Sequence, residues 1–68
     1  MKLNTRVFEL ANGKYGNLVE LAQTMEISQD LIYSVRRGER GIHGRFIIGA
    51  TKAFPEYKLD DLFYVSDD

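Results

Sequence analysis

Two apolar stripes at helical spacing, on either side of a short gap at residues 25–27, constrain this chain more than any other feature. Leu18, Leu21, Ala22 and Met25 recur at spacings of three, one and three, which gathers them on one side of a helix. Beyond the gap, Leu31, Ile32 and Val35 continue at the same period until Gly38. Each stripe carries its own start signal. Asn17, followed three residues later by Glu20, forms a capping-box-like pair, and Ser28 is a capping residue for the second stripe. So short a gap forces the two helices to cross at a steep angle, the arrangement of a helix-turn-helix.

The flanking segments supply further helices. In "NTRVFELANG", Val7 and Leu10 lie three apart, Asn4 or Thr5 is placed to cap the start, and Gly13 to take the left-handed position after the end. "GERGIHG" has three glycines in seven residues and is expected to be a loop. "RFIIGATKAF" places Phe46, Ile47, Ala50 and Phe54 on one face, and Pro55 ends it. "KLDDLFYV" offers Leu59, Leu62 and Phe63 to the same core, and residues 66–68 form a frayed tail. The expectation is an all-α fold: a single domain, residues 1–68, built as a compact bundle of about five short helices with the helix-turn-helix at about residues 17–37.

A chain of 68 residues buries only about 60% of the surface it exposes when unfolded, and with no cysteine it has neither disulfides nor thiolate metal sites to support it. Packing of apolar side chains must hold it. The longest apolar run without a charge, "FIIGA", is far shorter than the roughly 20 residues of a membrane helix, and "MKLNTRVFEL" lacks a secretory apolar region, so a cytoplasmic protein is expected. One histidine and the lack of any acid–histidine or glycine–phosphate pattern leave no constellation for catalysis; no enzyme, cofactor, metal or small-molecule ligand is expected.

The formal net charge of −1 conceals an uneven distribution. Residues 1–45 hold seven Lys/Arg against five Asp/Glu, a balance of +2, and residues 46–68 hold two against five, a balance of −3. In residues 36–45, Arg36, Arg37, Arg40 and Arg45 oppose only Glu39, giving +3 in ten residues. Such a patch matters more to a polyanion than the near-neutral total does.

The stretch "LAQTMEISQDLIYSVRRGE" resembles the DNA-binding domain of the phage Cro/C1 repressor type, the Xre family, in its placing of Leu21, Ala22, Ile27, Ser28, Ile32, Val35 and Gly38. "KAFPEYKLDDLF" is similar to the closing segment of that family, so the resemblance covers nearly the whole chain. It departs from the pattern at Glu26, where the family often has glycine, at Leu18, where many members carry a phosphate-supporting glutamine, and in "PEYK", one residue longer than the usual connection. The resemblance implies a lambda-repressor-like fold and a small transcriptional regulator that represses by occupying an operator in double-stranded DNA. Pairing of family members on two-fold operators makes a homodimer a candidate state, with Phe63, Tyr64 and Val65 either at its interface or buried within the monomer.

With Ile32 and Val35 buried, the second helix of the motif should turn Gln29, Asp30, Tyr33, Ser34 and Arg37 outward. In a major groove Gln29 bonds bidentately to adenine, Asp30 accepts from cytosine N4, Ser34 bonds either way, and Tyr33 touches a thymine methyl or reaches a phosphate. Asn17, Arg37, Arg40, His43 and Arg45 are expected at phosphates, where contacts position rather than specify. Each has a plainer reading. Gln29 is a good helix former in an exposed first turn, Arg36 and Arg37 favour the helix macrodipole, with Arg36 the more structural of the two, and His43 suits a cap. Asp30, a carboxylate on the probing face, either selects cytosine or marks a face that binds something other than DNA, as would a protein-interaction module modulating another regulator.

Overall fold

Asn17 and Ser28 open helices as their side chains dictate. In the computed structural model, which describes residues 1–67, the Asn17 Oδ1 accepts from the Glu20 N–H at 2.9 Å and the Ser28 Oγ from the Leu31 N–H at 3.1 Å. Each acceptor satisfies one of the N–H groups that a helix start leaves without a partner. The chain runs β1 (Lys2–Thr5), α1 (Val7–Ala11), α2 (Leu18–Met25), α3 (Gln29–Arg36), α4 (Gly44–Ala53), α5 (Leu59–Leu62) and β2 (Phe63–Ser66).

The fold is not all-α. Five helices are accompanied by a two-stranded antiparallel sheet, with Lys2 opposite Ser66, Leu3 opposite Val65, Asn4 opposite Tyr64 and Thr5 opposite Phe63. Asn4 is therefore a strand residue whose Nδ2 donates to the Ser66 Oγ at 2.7 Å, not a helix cap. Thr5 works at both elements: its hydroxyl donates to the Leu62 carbonyl at 3.0 Å and accepts from the Val7 N–H at 3.1 Å. The segment expected to be one closing helix stops at Leu62, and its aromatic and β-branched continuation, Phe63 to Val65, suits a strand. Ser66 is consequently paired rather than frayed, and Asp68 lies outside the described residues.

Val7, Leu21, Met25, Ile32, Phe46, Phe54 and Leu62 are fully buried and draw on five helices for one core. Phe63 packs against it at the core end of β2, its ring centroid 6.3 Å from that of Phe46. Leu59, expected in the core, is 51% exposed. Gly13 does not take a left-handed conformation; α1 ends instead with the Lys14 and Tyr15 N–H groups on the Ala11 carbonyl. Tyr15 then stands edge-on to Phe54, ring centroids 5.7 Å apart, and donates its hydroxyl to the Ala53 carbonyl at 2.7 Å.

The helices α2 and α4 approach closely at Gly49. A β-carbon at Gly49 would sit 2.6 Å from the Met25 carbonyl oxygen and 2.8 Å from the Met25 Cβ, distances that only a glycine avoids. Gly49→Ala must therefore push the helices apart, and a loss of about 1–3 kcal/mol is expected despite alanine's better helix propensity. Ile32→Ala, which empties a fully buried site, should cost about 2–5 kcal/mol. Chemical denaturation of both variants measures these losses.

Candidate nucleic-acid interface

The turn between α2 and α3 sets the pose of everything that follows. The Ile27 N–H donates to the Ala22 carbonyl at 3.0 Å and the Glu26 N–H to the Gln23 carbonyl at 3.2 Å. Together they form a Schellman closure, which requires a left-handed residue at Glu26. Glu26 supplies it at φ 60°, ψ 40°, without glycine's freedom. Its carboxylate reaches the Lys52 ammonium on α4 at 2.8 Å, and this partner holds its pKa below the usual carboxylate value. Ile27, partly buried against the core, closes the turn from inside.

From that turn α3 presents one face inward through Ile32 and Val35. Gln29, Asp30 and Arg37 are exposed on the other side, and Tyr33 lies half-buried between solvent and core. Gln29, Tyr33 and Arg37 are four residues apart and share a stripe, with Asp30 beside it. The stripe loses one expected member. Ser34, predicted to contact bases, is buried, and the chain after α3 folds back there so that the Glu39 and Arg40 N–H groups both bond to the Ser34 carbonyl, at 2.9 and 3.3 Å. A side chain covered in this way cannot reach a groove.

Arg37, Arg40 and Arg45 are exposed as expected, but Arg37 is already engaged. Its guanidinium pairs with Glu39 at 3.0 Å, which raises the arginine pKa and lowers that of the glutamate. The more distant Asp30 carboxylate acts on Arg37 in the same direction. Asn17 spends its Oδ1 on the cap of α2, leaving its side-chain amide as a donor. His43 occupies the N-cap position of α4 but makes no side-chain capping bond there. Arg36, expected to be the more structural arginine and to lie on the side opposite Tyr33, is instead exposed on the side of Tyr33 and borders the cleft that also contains Asn17 and Leu18. It makes no hydrogen bond or ion pair among the described residues, so it joins the cationic group. Helical phase offered a signal for it, since Arg36 follows Tyr33 by only 60° around α3.

Among the described residues, no cluster of three or more histidines, cysteines or acids is placed to hold a metal, and no helix is long and apolar enough to cross a membrane.

The strained turn gives a test of how α3 is held. Glu26→Gly removes the left-handed penalty of about 1–2 kcal/mol and loses only an exposed ion pair, so its melting temperature should rise. A fall would mean that the Lys52 pair dominates the turn.

The chain matches no family model, no curated protein and no solved structure in comparisons with all three.

Proposed function

We propose that the chain binds double-stranded DNA in the major groove through α3 and acts as a small sequence-specific transcriptional regulator, repressing by occupancy of its operator. The observation that carries this reading is the outward stripe of exposed Gln29, Asp30 and Arg37 with half-buried Tyr33, on a helix whose opposite face is core and whose pose is set by a closed turn. A major groove about 12 Å wide admits one such helix. Gln29 and Asp30, in its first turn, are the base readers, and Tyr33 offers its phenol to a thymine methyl or a phosphate. Arg37, Arg40 and Arg45 meet the phosphates, with Arg36 and the Asn17 amide approaching from the cleft between the start of α2 and the end of α3.

The carboxylates of Asp30 and Glu39 beside Arg37 favour a second reading, in which the same face binds a protein and modulates another regulator. An electrophoretic shift assay with salt titration separates the two. DNA binding gives a steep fall in affinity with salt, whereas a protein-binding module gives no DNA complex to titrate.

Arg40→Ala should weaken specific and non-specific DNA binding alike and lower the salt slope by roughly 0.9. Glu39→Gln should act oppositely, releasing Arg37 and raising affinity for every sequence, which the same titration records. Gln29→Ala should cost about 1–3 kcal/mol on the preferred site and relax selection at a single base position. Selection of bound sequences from a random duplex pool checks it, and equal loss on all sequences would remove Gln29 from base readout.

A further inference from the structure

The sheet leaves one strand edge open beside the arginines. The Arg6 N–H donates to the Leu62 carbonyl at 2.8 Å, and these two residues continue the register in which Asn4 faces Tyr64 and Lys2 faces Ser66. Hydrogen-bonded and non-bonded pairs alternate along an antiparallel ladder, so Lys2 and Asn4 turn their main-chain groups toward β2, and Leu3 and Thr5 turn theirs away from it. A cleft of about 360 Å³ runs along β1; it is bounded by β1, by the end of α3 and by the loop after it, but by no residue of β2. It therefore lies on the open side of β1.

The walls of this cleft differ in chemistry. Phe8, Val35 and Ile42 make an apolar floor, and Leu3, 39% exposed, adds to its rim. Arg36 and Arg40 border it without an ion-pair partner among the described residues, and Arg37 is held by Glu39. A nucleic-acid backbone would suit the arginines and can accept from an outward N–H, but it has no donor for the edge carbonyls and nothing aliphatic for the floor. An extended polypeptide meets all three: its main chain bonds to the edge, and its side chains alternate between the apolar floor and the cationic wall.

We propose that this cleft binds an extended acidic segment of a partner protein as a third strand on β1, with its aliphatic residues on Phe8, Val35 and Ile42 and its carboxylates at Arg36 and Arg40. The site goes beyond the DNA reading and does not depend on it, though it shares Arg36 and Arg40 with that surface.

The experiment is a titration of the ¹⁵N-labelled chain, without DNA, with a capped eight-residue peptide alternating valine and glutamate; a control peptide has lysine in place of glutamate. The expected result is saturable movement of the Leu3, Thr5 and Ile42 amide resonances and slowed exchange of the Leu3 and Thr5 N–H groups, with no response to the lysine peptide. Arg36→Ala combined with Arg40→Ala, both exposed sites, should weaken binding at least tenfold. Leu3→Pro removes a donor that points away from β2, a placement in which proline spares the ladder, and should weaken binding likewise; if it unfolds the chain, the double arginine variant supplies the same reading. No saturable change, an equal response to the lysine peptide, or shifts confined to Gln29 and Tyr33 on α3 would overturn the proposal.

Discussion

Two helix backbones come closest where one of them carries no side chain, and in this fold Gly49 against Met25 is such a place. The contact falls at the last residue of α2, immediately before the chain reverses at Glu26. Because α4 bears on the end of α2 there, the direction in which the chain leaves the turn is determined by packing as well as by the turn's own hydrogen bonds. The Glu26–Lys52 pair spans the same two elements at the surface. An exposed pair of this kind contributes little energy alone. The buried contact beneath it holds the end of α2, and together with the closed turn it sets the pose of α3 and the presentation of its polar stripe.

The parts of the fold that were legible in the sequence are those whose signals are local. Asn17 and Ser28 announce their helices because a cap and the N–H group it serves are three residues apart. The stripes of α2, α3 and α4 repeat within a few turns and were readable for the same reason. The sheet gave no such signal. Its strands are four residues each and lie at opposite ends of the described chain, without a hairpin turn to betray the pairing. Leu59, Leu62 and Phe63 also fit a helical period, which hid the point where α5 gives way to β2. At the candidate interface, Ser34 was read as outward from the Ile32 and Val35 stripe, yet it is buried where the loop after α3 bends back through main-chain bonds, a return that no side-chain pattern encodes.

The basic segment is also more restrained than its composition suggests. Four arginines in ten residues would make a non-specific anchor for any polyanion, yet one of them is matched by Glu39 and feels Asp30 as well. Exchanging Glu39 for a phosphate neutralises one charge while exposing another, so that arginine adds less to indiscriminate attraction than an unpaired one does. Under the proposed DNA function, carboxylates so placed lower affinity for every duplex, and the base-contacting residues then make up a larger share of what remains. This is selectivity by subtraction.

The pairing of β1 with β2 has a consequence for how the molecule assembles. Asn4 and Ser66, joined by a side-chain bond, are separated by 62 positions in sequence. Closing a flexible loop of that size costs roughly 3–4 kcal/mol in chain entropy before any constant term, too much for two four-residue strands to recover alone. The helices between them are held by local hydrogen bonds and by the common core. Once α1 and α5 have settled on the core, Arg6 and Leu62 are brought within bonding reach, and the remaining gap is short. The sheet is thus a latch across the first and last described elements, and the two strands share one fate: loosening either strand releases the other.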